Sequence, residues 1–321
     1  MNGNVDPYSF AVVIPTYEDN EAAIHLFREL LSIFKHRFYL VLVDDGSIKN
    51  SVSIDSMIHM GVEGVLIKLK RNVGHQRAIA IGLNYVADQL KHVEKIVIMD
   101  SDGEDKPSSI KELINLLDSV HIDIAVAKRK SRVETLRFKI FYKFYRLIFN
   151  IFTGRQINFG NFMALKAMAV KRLVSMHELW IHVAASVLIS KLRVSECALD
   201  RGARYAGKSK MNFVGLALHG FRGLMVFAED VLVRVGIACA VVAAMSILAG
   251  GVAVVLKVVG FATPGWFSVA LGILVLLLLQ TGALTLMTLM LTGVSRNGTN
   301  LGLDYREFID TVQYAHPDYA N

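Results

Sequence analysis

In the stretch "KIVIMDSDGEDKP", Lys95–Pro107, a short apolar run ends in a group of acids. Ile96–Met99 has the composition of a buried strand, and four carboxylates follow within six residues: Asp100, Asp102, Glu104 and Asp105. The whole chain has a net charge of +7, so these acids stand against the general balance. Like charges this close are costly unless a cation or protons relieve them. Asp100 and Asp102 are spaced to share one hard divalent cation, Mg²⁺ or Mn²⁺, although a solvated acidic turn has the same pattern.

The segments before this stretch alternate between strand and helix patterns. The strand-like runs are "FAVVIP", "FYLVLVDDGS", "EGVLIKLKRN" and "KIVIMD", and the helical runs between them include "DNEAAIHLFRELLSIFK" and "GHQRAIAIGLNYVADQL". This alternation predicts a doubly wound α/β domain with a parallel sheet, whose ligands bind beyond the carboxyl ends of the strands. No G-x-G-x-x-G follows the first strand and no P-loop motif occurs, which disfavours a dinucleotide oxidoreductase and a P-loop NTPase.

Apolar residues are concentrated towards the C-terminal end. Twenty-two uncharged residues lie between Arg234 and Lys257, and 38 lie between Lys257 and Arg296. Each run reaches the roughly 20 residues that a helix needs to cross a bilayer, and neither has the polar face of a soluble helix. "GFATPGW" between the runs contains Gly and Pro and is typical of a hairpin tip. We therefore expect two transmembrane helices, at about 233–256 and 266–294.

The predicted organisation places the α/β domain before this hairpin. It has a cytoplasmic domain at 1–210, an interfacial helix at 211–230, the membrane hairpin within 231–296 and a cytoplasmic tail at 297–321. Basic residues flank the hairpin on the chain-end side at Arg222, Arg234 and Arg296, whereas the tip offers Lys257. The positive-inside rule then predicts a multi-pass protein of the inner (plasma) membrane, with its catalytic domain and both termini in the cytoplasm.

A second membrane signal is the basic stretch from Lys128 to Arg155. It carries nine Lys and Arg residues with a single Glu, and aromatic and aliphatic residues alternate with the charges. A helix with one basic and one apolar face, at about 136–152, is typical of a segment lying in the membrane interface. An ordinary packed helix with a solvated basic side has the same pattern. Nucleic acid as a partner is disfavoured by the two membrane spans.

Four of these motifs, taken in order, resemble a known enzyme family. "VVIPTYEDN", "LVLVDDGS", "RNVGHQRAIAIGL" and "VIMDSDGEDKP" look like the successive motifs of family 2 glycosyltransferases with the GT-A fold. "RYAGKSKM" is similar to the R-x-x-G-x-S-K-Y segment before the membrane hairpin of polyprenyl-phosphate glycosyltransferases, the group that resembles dolichol-phosphate mannose synthase and GtrB. The resemblance covers nearly the whole chain.

The resemblance implies a role for each matching position. The nucleotide sugar would be bound by Pro15, Tyr17, Glu18, Asp44, Asp45, Arg71, Gly74 and Ser101. The metal would be held by Asp100, Asp102 and Glu104. The catalytic group would consist of Asp100, Asp102 and the basic residues Arg129, Arg204 and Lys210. The lipid phosphate and the membrane interface would be contacted by Arg137, Lys139, Lys143 and Lys208.

The chain departs from the family pattern at three places. Glu104 stands where the family usually has Gln, and the usual Tyr-Asn-Glu reads Tyr17-Glu18-Asp19. In "GNFMAL", Asn161 replaces an acid and Met163 replaces an arginine.

The resemblance implies a membrane-anchored, metal-dependent, inverting glycosyltransferase of the hexosyltransferase class. Its expected partners are a UDP- or GDP-linked sugar, an undecaprenyl-type polyprenyl phosphate and membrane lipids, and a homo-oligomer is left open. Two alternatives remain. The acceptor could be a lipid-linked oligosaccharide or a lipid hydroxyl, or the chain could be a non-catalytic membrane partner or lipid transporter.

Overall fold

The computed structural model of the chain describes residues 8–129, 147–156, 158–205, 213–261, 265–297 and 304–316. These residues form two compact units. The first contains the described residues up to 129, those between 158 and 226, and 304–316. The second contains 147–156 and the described residues between 227 and 297.

The first unit is built on a mixed sheet whose order, among the described residues, is β7-β5-β6-β4-β1-β2-β3-β8. The strands are β1 (Phe10–Thr16), β2 (Phe38–Asp44), β3 (Gly64–Leu69), β4 (Lys95–Ile98), β5 (Ile124–Arg129), β6 (Met163–Lys166), β7 (Val194–Leu199) and β8 (Ile309–Ala315). β1 pairs in parallel with both β2 and β4, and β2 pairs in parallel with β3. The strand order therefore reverses at β1, between β2 on one side and β4 on the other.

Seven helices of this unit are described. They are α1 (Asn20–Phe34), α2 (Ile54–His59), α3 (His75–Gln89), α4 (Ile110–Leu117), α6 (Ala167–Val174), α7 (Val183–Ile189) and α8 (Phe213–Val226). A further helix of the chain, α5, covers residues 147–153 in the second unit.

Both faces of the sheet are buried, as β1 shows. Ala11 and Val13 belong to the apolar core that includes α3, α6 and α7 residues, whereas Val12 and Ile14 belong to the core on the α1 and α4 side. Successive side chains of a strand point to opposite faces, so a strand covered on both sides reads as a continuous apolar run. This explains why "FAVVIP" shows no alternation and confirms the predicted α/β fold with helices on both faces.

Two strands run against the rest of the sheet and make it mixed rather than wholly parallel. β6 pairs antiparallel with β4 and β5, and β8 pairs antiparallel with β3. The sequence analysis assigned no strand to residues 297–321. β8 covers the edge of β3, which would otherwise be open. Its pairing partner lies some 240 residues earlier in the chain, so this strand depends on a long-range contact.

The second unit consists of α5 and two long apolar helices, α9 (Ala228–Val258) and α10 (Trp266–Asn297). Both are long and apolar enough to cross a membrane, and few residues of their most apolar parts are buried. α5 packs near the start of α9. Phe149 meets Phe227 edge to face at 5.6 Å, and the Arg234 guanidinium donates to the Ile151 carbonyl at 3.2 Å. The predicted pair of C-terminal apolar helices is therefore present.

Candidate active site

The acidic motif lies at the point where the strand order of the sheet reverses. β1 and β4 are neighbours, and the backbone N–H of Met99 extends their pairing by donating to the Val13 carbonyl at 3.2 Å. The loop after β1 is connected to the loop after β4 through Ser101, whose hydroxyl donates to Asp19 Oδ2 at 3.3 Å. In doubly wound sheets this reversal point is where a crevice opens for ligands.

The loop after β2 is held together by carboxylates that bind backbone N–H groups. Asp44 accepts hydrogen bonds from the Ser47 N–H at 3.0 Å and the Ser51 hydroxyl at 2.6 Å. The Glu18 carboxylate accepts from the backbone N–H groups of residues 48–50 at 2.6–3.1 Å. Both acids were assigned to nucleotide-sugar binding, and the structure shows that each also has a role in fixing this loop.

Asp45 holds the loop after β3 in the same way. Its two carboxylate oxygens accept hydrogen bonds from the N–H groups of Val73 at 2.7 Å and Gly74 at 2.9 Å. Gly46 has φ +72°, and a Cβ there would lie 2.5 Å from the Arg71 carbonyl carbon, so only glycine allows the two loops to approach this closely. Burial raises the pKa of Asp45, although the two backbone donors oppose the shift.

The acidic motif itself forms a tight turn after β4. The N–H of Asp100 donates to Asp105 Oδ2, and the N–H of Glu104 donates to Asp102 Oδ1, each at 3.0 Å. His75, the first residue of α3, has its Nε2 atom 2.8 Å from Asp100 Oδ1. Burial alone would lower the pKa of His75, but the charge and hydrogen bond of Asp100 outweigh it and the pKa is raised.

Two arginines from the segment after β7 face the same motif. The Arg204 guanidinium reaches Asp102 Oδ2 and Glu104 Oε1, each at 2.9 Å, and Arg201 contacts Glu104 Oε2. The pKa of Asp102 is nevertheless raised, because burial and the neighbouring Asp100 charge outweigh the two arginines. Burial lowers the pKa of Arg201. The cluster therefore has a surplus of partly desolvated negative charge.

The arginine segment is tied to the acidic motif along its backbone. The N–H of Gly202 donates to the Glu104 carbonyl and the N–H of Tyr205 donates to the Asp102 carbonyl, each at 2.9 Å. Gly103 between them has φ +86°, and a Cβ there would lie 2.7 Å from the Tyr205 ring. The Tyr205 ring stacks on His25 of α1 and its hydroxyl contacts Glu29. These contacts fix the arginines relative to the carboxylates.

The residues present fit a divalent cation only in part. Within the described ranges no group of three or more His, Cys, Asp or Glu side chains has the geometry of a metal site. Both oxygens of Glu104 are bound by guanidinium groups, so this side chain does not fit its predicted role as a ligand while those pairs persist. Asp100 and Asp102 fit better, because they supply two carboxylates close in sequence, and burial together with the charge of Asp100 raises the pKa of Asp102.

The other predicted residues fall into two groups. Pro15 is buried within β1, Tyr17 is 42% exposed in the next loop, Arg71 is exposed, Gly74 precedes α3 and Ser101 is buried. Arg129 is the last residue of β5. Five predicted basic residues lie outside the described residues: Arg137, Lys139, Lys143, Lys208 and Lys210.

Sequence reasoning missed two members of the cluster, His75 and Arg201. His75 stands in the quoted motif "RNVGHQRAIAIGL", where the loop after β3 begins a helix, and that position at a strand-to-helix junction was a usable signal. Arg201 stands three residues before Arg204 in an irregular segment. No local pattern separates it from the other surface arginines, so only the fold identifies it.

Comparison with known proteins agrees with this geometry. The sequence profile described as "Glycosyl transferase family 2" matches residues 11–176, which is more than half of the 321 residues. The chain belongs to glycosyl transferase family 2. The match begins within β1 and includes the acidic motif, so the predicted family is confirmed and the domain is a GT-A-like α/β fold with a mixed sheet.

Two relatives of this family 2 chain carry the names of polyprenyl-phosphate sugar transferases. A dodecaprenyl-phosphate galacturonate synthase of Rhizobium johnstonii is 26% identical over 220 residues, covering 65% of this chain and 63% of the relative. An undecaprenyl-phosphate 4-deoxy-4-formamido-L-arabinose transferase of Salmonella choleraesuis is 26% identical over 215 residues, covering 64% of this chain and 63% of the relative. The matched part thus spans slightly less than two thirds of these relatives.

Among solved structures, the family 2 chain is similar to glucosyl-3-phosphoglycerate synthase of Mycobacterium tuberculosis. That protein was solved in complex with Mn²⁺, UDP-glucose and phosphoglyceric acid. The identity is 14%, the TM-score is 0.48, and the alignment covers 71% of this chain and 79% of the other.

Proposed function

We propose that this protein transfers a sugar from a nucleotide sugar to a polyprenyl phosphate at a membrane. The observation that carries the proposal is the cluster at the end of β4, in which Arg201 and Arg204 face Asp102 and Glu104. Guanidinium groups can bind the oxygens of a nucleotide diphosphate and carboxylates can bind its divalent cation, and this cluster offers both at the reversal point of a family 2 fold. The names of the two polyprenyl-phosphate relatives support the acceptor class.

The donor diphosphate would bind by replacing Glu104 as the hydrogen-bond partner of the two arginines. Arg204 bridges Asp102 and Glu104, so its donors are already directed into the cluster at 2.9 Å. Guanidinium groups bind phosphate oxygens in the same forked geometry as carboxylate oxygens. A bound diphosphate would compete with Glu104 for Arg204 and Arg201. In this proposal Glu104 holds the arginines in place when no donor is bound.

The carboxylates would serve the departing diphosphate. Asp100 and Asp102 would hold Mg²⁺ or Mn²⁺, which would supply positive charge to the leaving group. The hydrogen bond between His75 and Asp100 would fix the orientation of that carboxylate. The proposed donor is a UDP- or GDP-linked sugar, as the family resemblance implies.

The chemical step would be a single displacement with inversion. An oxygen of the acceptor phosphate would form a bond to the anomeric carbon as the bond from that carbon to the diphosphate oxygen breaks, and the leaving nucleoside diphosphate would keep the electron pair. A phosphate monoester has its second pKa near about 6, so the attacking oxygen is already anionic at neutral pH. No side chain is then required to remove a proton, which agrees with Asn161 in place of an acid.

The acceptor class also accounts for the two apolar helices. α9 and α10 would anchor the enzyme in the bilayer that contains the polyprenyl chain, with the catalytic domain on the cytoplasmic side of the inner membrane. In a cysteine-free background, we expect Thr263→Cys on intact cells to react with an impermeant maleimide and Asn4→Cys to react only after lysis. Labelling of Asn4→Cys on intact cells would indicate the opposite topology.

The function is tested with full-length protein purified in detergent. The assay supplies UDP-, GDP- and CDP-sugars with Mg²⁺ or Mn²⁺ and either undecaprenyl phosphate or undecaprenol. We expect labelled sugar in the lipid phase only with the phosphate acceptor, in a product that mild acid cleaves. An acid-stable product with undecaprenol would indicate a hydroxyl acceptor. Absence of transfer and of hydrolysis with every donor would favour a non-catalytic membrane protein.

A further inference from the structure

Two histidines outside the acidic cluster form a directed hydrogen bond. His182 is buried, and its Nδ1 accepts a hydrogen bond from the Ala185 N–H at 3.2 Å at the start of α7. Because Nδ1 accepts, the proton of the neutral His182 ring is on Nε2. That Nε2 lies 3.1 Å from Nε2 of His219 on α8, so His182 donates and His219 accepts. The proton of the neutral His219 ring is then on Nδ1.

Both rings are neutral at physiological pH. Burial is the main cause that lowers the pKa of His182, and the nearby His219 and Arg222 lower it further. Burial also lowers the pKa of His219, with smaller contributions in the same direction from His75 and Arg222 and an opposing one from Asp100. His219 therefore presents an uncharged N–H donor with a fixed tautomer. The bond to His182 uses Nε2 of His219, so the Nδ1–H is not engaged in that bond.

The position of His219 relates it to the acidic cluster and to an apolar surface. Val183, the residue after His182, donates its N–H to Gln76 Oε1 at 2.7 Å, and the preceding residue of α3, His75, binds Asp100 at 2.8 Å. The histidine pair is therefore joined to the acidic cluster through the start of α3. On α8, Leu218, Phe221 and Met225 are exposed and share one face of the helix. A donor beside an apolar surface of this kind suits a phosphate that is attached to an apolar chain.

Arg222 adds a positive charge to the same part of α8. It follows His219 by three residues, which places both on one side of the helix, and it is exposed. The two side chains together offer an anionic phosphate one neutral donor and one guanidinium.

We propose that His219 donates its Nδ1–H to the phosphate of the lipid acceptor, and that His182 is the positioning residue that holds the His219 ring in the donating tautomer. The inference rests on the proposed function, since the phosphate is that of the polyprenyl acceptor. It extends that function by assigning the acceptor phosphate to α8 rather than only to the basic residues near the metal ligands.

Matched variants separate this role from packing. In His219→Asn the side-chain amide places a donor where Nδ1 lies, and contact with His182 is lost. In His219→Gln the amide reaches the position of Nε2, so contact with His182 is kept and the outward donor is lost. His182→Asn retains an oxygen that caps α7, as Asn does at such positions, but removes the bond to His219.

The experiment measures binding of undecaprenyl phosphate, undecaprenol and inorganic phosphate to full-length protein in detergent, with donor binding as a second readout. We expect His219→Gln to bind undecaprenyl phosphate about tenfold or more weakly than wild type, the effect of losing a hydrogen bond to a charged group. His219→Asn should lose less, and His182→Asn should lie between the two. Donor affinity should stay near wild type in all three.

The outcomes distinguish the inference from the function on which it rests. If the wild type does not bind undecaprenyl phosphate, or binds undecaprenol equally well, the proposed acceptor is wrong and the inference fails with it. If the wild type prefers the phosphate but His219→Gln binds it as well as His219→Asn, the acceptor stands and the role of His219 is wrong. If inorganic phosphate displaces undecaprenyl phosphate at an equal concentration, the site binds free phosphate, and the proposed contact between His219 and the lipid phosphate is wrong.

Discussion

Two aspartate–arginine pairs at opposite ends of the sheet differ in their electrostatics. Asp123 directly precedes β5, at the amino end of the sheet, and its carboxylate accepts from Arg193 Nε at 2.9 Å and Nη2 at 2.6 Å. Asp102 follows β4, at the carboxyl end, and pairs with Arg204 Nη2 at 2.9 Å. The hydrogen bond from Arg193 lowers the pKa of Asp123 to about 2, whereas burial and Asp100 raise the pKa of Asp102.

The difference arises from what surrounds each pair. Asp123 has one arginine, which binds it in a fork, and the positive charge of Lys166 also lowers its pKa. Asp102 shares two arginines with Glu104 and has Asp100 beside it. A saturated pair stabilises the fold, whereas a cluster with unbalanced negative charge has capacity left for a cation, which could in turn bind an incoming phosphate. The contrast predicts which acids can be removed without loss of function.

The largest expected effect comes from Asp102→Asn. We expect it to abolish transfer, a loss of at least about a thousandfold, because the charge that supports the departing diphosphate is worth several kcal/mol. The matched control is Asp123→Asn, which should keep its transfer rate. Initial rates with saturating donor and Mn²⁺ provide the measurement, and near-normal turnover by Asp102→Asn would remove this residue from the site.

A smaller effect is expected from the arginines of the cluster. Arg204→Gln should weaken donor use by about 1.5–3 kcal/mol, the range for a hydrogen bond to a charged group, and Arg201→Gln should act in the same direction. Arg193→Gln is the matched control, since its partner lies at the other end of the sheet. The measurement is kcat/KM for the nucleotide sugar. Equal values for Arg204→Gln and Arg193→Gln would contradict the assignment.

Asn161 tests whether the cluster needs a general base. It is half-buried in the loop before β6. With a phosphate acceptor, Asn161→Ala should cost far less activity than Asp102→Ala, and Asn161→Asp should bring no large gain. General-base catalysis contributes roughly a hundred- to ten-thousandfold where a hydroxyl must be deprotonated. A gain of that size in Asn161→Asp, measured between about pH 6 and 9, would favour a hydroxyl acceptor.

The smallest effect under assay conditions concerns Asp123 and acid stability. Its pKa is lowered from 3.8 to about 2 in the folded protein, so its stabilisation is complete above 3.8 and is lost as the pH falls towards 2. Asp123→Asn should reduce the pH dependence of unfolding in this window and leave transfer at neutral pH unchanged. Denaturant unfolding followed by tryptophan fluorescence measures it, because Trp180 is buried in the same domain. An unchanged pH dependence would mean that the pair does not stabilise the fold.

The candidate site was predictable where it depends on strand ends. The position of Asp100 and Asp102 after β4, and of Asp44 and Asp45 at the carboxyl end of β2, follows from short apolar runs that stop at acids. The different contacts of these two acid pairs were not predictable, because the same apolar pattern precedes each pair. Asp45 accepts hydrogen bonds from backbone N–H groups 28 and 29 residues further along the chain. Glu104 pairs with Arg204, which is 100 residues away.

The α/β alternation, the family and the two apolar C-terminal helices are predictable from the sequence, because they depend on local periodicity, on segment length and on motifs that are each continuous in the chain. Only the tertiary structure decided the antiparallel β6 and β8, the loop contacts of Asp45, the arginine partners of Asp102 and Glu104, and the bond between His182 and His219. Each of these joins residues that are far apart in sequence. Their energies depend on distances that exist only after the chain has folded, so no local pattern encodes them.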